Sequence, residues 1–98
     1  MKKVFVVTAL LCAWPAVAQA QQSGRNLAAS CAICHGTEGR AATQSVISLA
    51  GLPKDHIATQ MRAFREGKRP ATVMHQIAKG YTDVQVDAIA EWFAAQKP

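Results

Sequence analysis

The chain has 98 residues, of which half are hydrophobic and three are cysteines, and its formal net charge at pH 7 is +5. A length of this order fits one small domain and leaves no room for a second. The eleven lysines and arginines are scattered along the chain. A nucleic-acid-binding protein would concentrate them in a stripe, so that class is excluded.

The first twenty residues have the pattern of a secretory signal peptide. A basic start, MKK, precedes an apolar run over residues 4–14, and the small-residue string AVAQA follows Pro15. We expect cleavage after Ala20, with a cut after Ala18 as the alternative. The apolar run is too short for a membrane-spanning helix, which needs about 20 apolar residues. The sequence thus predicts an exported domain over residues 21–98 with no membrane span.

Cleavage after Ala20 also removes one of the three cysteines. Cys12 lies inside the apolar run, and Leu11 stands directly before it, where a lipoprotein signal has a small residue. The remaining 78 residues have a net charge of +3 and only two cysteines, Cys31 and Cys34. A chain this short buries a limited fraction of its apolar surface, so it usually needs a disulfide, a metal or a cofactor.

Helical periodicity, broken by glycine and proline, runs through the rest of the chain, and no alternation typical of strands is present. The first predicted helix covers residues 24–34, with Ser23 as its N-cap and Leu27 as its main apolar residue. Residues 36–53 are rich in glycine, threonine and serine, which predicts a loop.

Two further helices are predicted after this loop. A helix over residues 54–66 is amphipathic, with Ile57, Met61 and Phe64 on one face. A short helix over residues 73–79 follows and ends at a glycine.

The last helix has the clearest start, because Thr82 and Gln85 have the spacing of a capping box. Its predicted apolar side consists of Val84, Ala88, Ile89, Trp92 and Phe93. The whole pattern predicts an all-α fold, with three main helices and a short one around a single centre.

The motif CAICH at residues 31–35 allows a metal site, a redox dithiol or a cofactor anchor. Zinc needs about four ligands, and His56 and His75 are neither paired with each other nor joined by further cysteines. A thioredoxin-like dithiol belongs in a βαβ context, and no strands are predicted. A disulfide across this spacing removes little unfolded-state entropy and leaves the adjacent His35 unexplained.

The remaining interpretation is covalent haem attachment, for which C-x-x-C-H is the recognised signature. Cys31 and Cys34 are one helical turn apart, so they share a face and can form thioethers with the two vinyl groups of one porphyrin. His35 then becomes the proximal iron ligand. The haem would also supply the core that so short a chain lacks.

The second axial ligand separates an electron carrier from a catalyst. Met74 is our first choice, because it follows Pro70 and lies outside the amphipathic stripe. Met61 belongs to that stripe and is predicted to fill the core, His56 is predicted to be solvated, and His75 is the direct competitor for the iron. With Met74 bound, the iron has no open site and the chain is an electron-transfer protein, not an enzyme. An open iron would make it a catalyst or a gas sensor.

Five segments occur in the mature chain in this order: GRNLAASCAICHG, SLAG, FREGKRP, VMHQIAKG and VDAIAEWFAAQKP. Together they resemble the bacterial class I c-type cytochromes over essentially the whole mature chain. The resemblance implies a small class I cytochrome c fold around one covalent haem c, a periplasmic location, and iron ligation by His35 and Met74. It also implies that the first and last helices cross, with Gly24 against Trp92 or Phe93.

One position departs from the family pattern. The family usually has a proline just before the SLAG stretch, and the carbonyl of that proline accepts the ring N–H of the proximal histidine. Ile47 stands in its place here. The resemblance implies that the Ile47 carbonyl takes this role, in a less rigid loop.

The tail over residues 69–95 is most similar to the cytochrome subunit of flavocytochrome c sulfide dehydrogenase. That resemblance implies a flavoprotein partner that oxidises sulfide and passes its electrons to the haem. A free, diffusible periplasmic cytochrome c is the alternative.

The second half of the chain also contains a cluster of four basic residues: Arg62, Arg65, Lys68 and Arg69. The cluster is predicted to be a solvated helix face with one arginine near a haem propionate. A docking patch for an acidic partner is the alternative.

Overall fold

The computed structural model describes residues 2–4 and 24–98. Most of the predicted signal peptide, both candidate cleavage sites, Cys12 and the predicted N-cap Ser23 lie outside these ranges. Within them, no helix has the length and apolar character needed to cross a membrane.

Residues 24–98 form five α-helical segments and no strand, which confirms the predicted all-α fold. Helix α1 (residues 24–28) runs through a 3₁₀ turn (Ala29–Cys31) into α2 (Ala32–His35), and a second 3₁₀ turn covers Thr37–Gly39. After an irregular loop come α3 (Lys54–Arg65), the short α4 (Met74–Ala78) and α5 (Asp83–Ala94). The predicted ends of α3 and α4 lie within one residue of the observed ends.

Helix α5 begins at the predicted capping box. The Gln85 amide donates to the Thr82 hydroxyl, and the Thr82 amide donates to the Gln85 side chain, so both ends of the box are closed. Its buried residues are Val86, Ile89, Ala90 and Phe93, which are spaced i, i+3, i+4 and i+7. The predicted apolar side was wrong for Val84, whose side chain is 79% exposed. Two residues along a helix turn the side chain about 200°, so Val84 and the buried Val86 face in opposite directions.

Ion pairs hold the other side of α5 to α3. The Arg62 guanidinium donates to Asp87 at 2.7 Å and to Asp83 at 3.3 Å, and Arg65 also binds Asp83. The Arg65 and Arg62 guanidinium groups hold the pKa of the Asp83 carboxyl below its usual range. These contacts link the middle and end of α3 to the first two turns of α5.

The predicted solvated basic face is therefore wrong for Arg62 and Arg65, because both lie at the α3–α5 contact with carboxylate partners. Lys68 pairs with Glu66 at 3.0 Å. Three of the four basic residues of the cluster thus have acidic partners within the chain, which argues against the alternative of a basic docking patch.

Helices α1 and α5 cross in close contact. A Cβ atom on Gly24 would lie 2.9 Å from the Ala88 carbonyl oxygen and 3.7 Å from the Trp92 Cβ, so only a glycine allows this approach. The crossing implied by the family resemblance is confirmed, with Trp92 as the aromatic partner of Gly24. Phe93 lies instead against Gly39, in the turn that follows α2.

Candidate functional site

A cavity of about 530 Å³ opens between α2, α3, α4 and the loops that precede α3 and α4. This volume lies within the range of small-molecule and cofactor sites, roughly 300–1,000 Å³. Much of its wall is aliphatic or aromatic: Leu49, Leu52, Ile57, Met61, Phe64, Ile77, Ile89 and Phe93. The fold therefore surrounds a space that its own side chains do not fill.

Cys31, Cys34 and His35 all line this cavity. Both cysteines are free thiols; Cys31 is half-buried at the end of the 3₁₀ turn, and Cys34 is exposed in α2. Burial raises the pKa of the Cys31 thiol, so this sulfur stays protonated to higher pH. The i and i+3 spacing in a continuous helical stretch brings the two sulfurs to one wall, as the motif predicted.

The imidazole of His35 is buried and oriented by the main chain. Its Nδ1–H donates to the Ile47 carbonyl oxygen at 2.7 Å, which leaves Nε2 as the nitrogen available to a metal. The Ile47 carbonyl thus makes the hydrogen bond that the family resemblance implied for this position. Gly36 directly follows with φ +85°, and a Cβ there would lie 1.8 Å from the Arg40 carbonyl oxygen. The chain can turn at this point only with glycine.

Both candidate methionines border the cavity. Met74 is the first residue of α4 and is half-buried against the core, while Met61 in α3 is only 7% exposed and belongs to the core itself. The exposed His56 also borders the cavity. His75 does not, and its Nδ1 is buried without a hydrogen-bond partner among the described residues. The structure therefore brings Met74, Met61 and His35 to one space and leaves His75 outside it.

Sequence reasoning missed Gln60 as part of the cavity wall. Gln60 and Phe64, one turn apart on α3, line the cavity together with Arg69, whose guanidinium carbon lies 4.7 Å from the Phe64 ring centroid. The Nη1 of Arg69 donates to Oε1 of Gln60. The i and i+4 spacing of Gln60 and Phe64 was visible in the sequence, but the return of Arg69 over their helix was not.

These residues fit a haem. The wall is apolar enough for a porphyrin, the two thiols are free and one turn apart, and the imidazole has an unused nitrogen. Covalent attachment also explains why a short chain has a wide cavity in its core. This donor set matches the C-x-x-C-H pattern that is typical of covalent haem attachment in c-type cytochromes.

Comparison with known proteins gives the same class. The chain is 45% identical to the cytochrome subunit of sulfide dehydrogenase of Chlorobaculum tepidum, over 81% of this chain and 72% of that protein. It is 34% identical to the thiosulfate dehydrogenase electron acceptor of Thiomonas intermedia, over all of this chain and 46% of that protein. It is 32% identical to cytochrome c4 of Pseudomonas aeruginosa, over 76% of this chain and 37% of that protein. No protein-family model matches.

The chain belongs to the class I c-type cytochromes and is a haem-based electron-transfer protein. Its aligned part spans less than half the length of the Thiomonas and Pseudomonas proteins.

Proposed function

We propose that the chain is a periplasmic electron-transfer protein with one haem c, held by Cys31 and Cys34 and ligated by His35 and Met74. The cavity carries this proposal, because all four side chains reach it from two separate helical segments. The pattern of the first twenty residues supports export.

Met74 is a better ligand candidate than Met61 because of how each is packed. Met61 is surrounded by the core cluster and lies on the same face of α3 as Ile57 and Ala58. Its side chain fills volume, as methionines in such stripes usually do. Met74 is the first residue of α4, packs against the edge of the core cluster without belonging to it, and borders the cavity.

The haem, when bound, supplies the one-electron redox chemistry. The chain's own residues hold and tune it. The Ile47 carbonyl keeps the proton of His35 on Nδ1, fixes the plane of the ring and raises the basicity of Nε2. With the haem in place, the apolar residues of α3 and α5 that line the cavity would shield it from water.

The partner proposed for this cytochrome is a flavoprotein that oxidises sulfide, with the catalytic step in that partner. The 45% identity to a sulfide dehydrogenase cytochrome subunit supports it. A free, diffusible carrier is the second candidate; the chain is also 32% identical to a cytochrome c4, whose name specifies no dehydrogenase complex. An isolation of the native protein from a periplasmic extract separates them: a flavin-containing chain should elute with it, and elution as a lone monomer would favour the free carrier.

The ligand assignment is tested by Met74→Ala in the haem-loaded protein. We expect the methionine-to-ferric-iron charge-transfer band in the red to disappear and carbon monoxide to bind rapidly to the reduced variant, because an axial position opens. Met61→Leu is the matched control, since it removes a thioether but keeps the volume, and it should retain the band. A band that survives in Met74→Ala and disappears in Met61→Leu would assign the ligand to Met61.

A further inference from the structure

The loop over residues 40–48 contains no proline, yet it brings the Ile47 carbonyl oxygen to 2.7 Å from Nδ1 of His35. The two ends of this loop are joined to each other. The Gly39 carbonyl accepts from the amides of Leu49 and Ala50 at 2.7 and 3.2 Å. These bonds fix the base of the loop, so the position of residue 47 depends on contacts within the loop.

One side-chain hydrogen bond crosses the loop next to Ile47. The Ala41 amide donates to Oγ of Ser48 at 2.9 Å, which joins the first half of the loop to the residue that directly follows Ile47. In the described part of the chain, no other side-chain hydrogen bond links two residues of the range 40–48. Serine hydroxyls form such bonds to nearby main-chain groups in irregular segments. The Ser48 hydroxyl therefore fixes the chain at the position adjacent to the carbonyl that binds His35.

Ala41 is itself held close to the histidine. A Cβ atom on Gly36 would lie 3.0 Å from the Ala41 Cα, so Ala41 lies directly against the residue that follows His35. Covalent bonds and these contacts together form a closed ring of residues: His35, Gly36, Ala41, Ser48 and Ile47. Removing the Ser48 hydroxyl opens this ring at a point that does not touch the imidazole.

We infer that Ser48 is a positioning residue for His35. Its hydroxyl keeps the Ile47 carbonyl aligned with the imidazole, and it thereby replaces the backbone restriction that a proline at position 47 would supply. The inference rests on the proposed function, because the alignment affects redox chemistry only if His35 ligates the haem iron. A hydrogen bond from Nδ1–H increases the electron donation of Nε2 to a metal, so a well-aligned acceptor favours the oxidised state.

The first test is Ser48→Ala in the haem-loaded protein, measured by redox titration and by NMR of the His35 ring N–H. We expect the midpoint potential to rise, because a loosely held carbonyl weakens electron donation to the iron. Solvent exchange of the Nδ1–H should become faster by about two- to tenfold, the factor that corresponds to one hydrogen bond. Ser48→Thr keeps a hydroxyl and should restore most of both properties.

Thr43→Val is the matched control, because Thr43 is an exposed residue of the same loop that does not border the cavity. Its hydroxyl makes no hydrogen bond to the described residues. This variant should leave the potential and the exchange rate unchanged, and equal changes in Thr43→Val and Ser48→Ala would overturn the inference. It would also be overturned if Ser48→Ala lowered the melting temperature but left the potential and the exchange rate at their wild-type values. Ser48 would then only stabilise the loop.

Ile47→Pro tests whether Ser48 replaces a proline. The Ile47 amide donates to no acceptor among residues 24–98, so this substitution removes no hydrogen bond. Ser48→Ala should raise the potential less in the Ile47→Pro background than in the wild-type background, because the proline restricts the backbone without the hydroxyl. Equal rises in the two backgrounds would contradict the inference.

These outcomes are distinct from a failure of the proposed function. If Ser48→Ala alone did not retain haem, retention in the double variant with Ile47→Pro would support the inference, and loss in the double variant as well would overturn it. If the wild-type chain attached no haem, or if its iron were not ligated by His35, the proposed function would fail before any variant of Ser48 was compared.

Discussion

The α3–α5 contact and the cavity side of the molecule are stabilised in different ways. At the α3–α5 contact the chain fills its own interior, with Val86 fully buried and ion pairs along one edge, while the fully buried Ile89 and Phe93 form the boundary with the cavity. On the cavity side, the side chains surround a space and do not fill it. Two of its segments, residues 41–53 and 70–78, contain no aspartate, glutamate, lysine or arginine, and Ile47 and Val73 within them are more than half exposed.

This difference shows how one small chain divides two tasks. The half around the α3–α5 contact, called the self-filled half below, is stabilised by the burial of its own side chains and by ion pairs. Neither of these needs a ligand. The other half exposes apolar side chains to a cavity, which is unfavourable in water and favourable once an apolar group covers them. Folding of the cavity side is therefore coupled to cofactor binding, in the way that metal binding is coupled to folding in small domains.

The largest effect expected is from Cys31→Ser combined with Cys34→Ser. This double variant should carry no covalent haem and should be largely unfolded, because 78 residues with an unfilled cavity lack another source of core volume. Circular dichroism and thermal melting measure this directly. A helical, cooperatively melting double variant would show that the self-filled half can support the whole domain alone.

A smaller loss is expected from Phe93→Ala in the haem-loaded protein. Phe93 is fully buried, contacts Gly39 and also lines the cavity, so it joins the two halves. Its truncation should cost about 3–5 kcal/mol in the free energy of unfolding. Val84→Ala on the same helix is the control and should change that free energy by less than about 0.5 kcal/mol, because Val84 is exposed. If denaturant titrations gave the two variants an equal loss in the free energy of unfolding, the division of the molecule into two halves would be contradicted.

The smallest effect concerns pH and the ion pairs. Asp83 has a lowered pKa in the folded protein because of Arg65 and Arg62, so its contribution to stability is present above its unfolded pKa of about 3.9 and is lost as the pH falls below that. We expect Asp83→Asn to lower the melting temperature slightly at pH 7. The melting temperature of this variant should also decrease less than that of the wild type as the pH is lowered. Glu66→Gln, which breaks only a surface pair with Lys68, is the control. If Asp83→Asn and the wild type lost stability over the same acid range, Asp83 would not be a source of acid sensitivity.

The sequence was sufficient for features that depend on neighbours along the chain. The capping box of α5, the limits of α3 and the grouping of Cys31, Cys34 and His35 all arise from spacing within a turn or two. The loop over residues 36–53 was also predicted, except for a 3₁₀ turn that glycines allow.

Features that depend on packing between distant segments were not predictable in the same way. Val84 is an exception, because the i, i+3, i+4 and i+7 spacing of Val86, Ile89, Ala90 and Phe93 was already visible in the sequence and places Val84 on the opposite side. The pairing of Arg62 with Asp87 joins residues that are 25 positions apart. Likewise, periodicity separated Met61 from Met74, but it could not show that both would border one cavity.

The hydrogen bond between His35 and position 47 has a consequence for how this cytochrome can change during evolution. Its acceptor is a main-chain carbonyl, so replacing the side chain at position 47 does not remove it. A lineage can therefore exchange proline for isoleucine there, alter the stiffness of the loop and the surroundings of the iron, and keep the ligand oriented. If His35 is the iron ligand proposed above, position 47 is a site where the redox properties of the protein can drift or be selected while the orientation of His35 is kept.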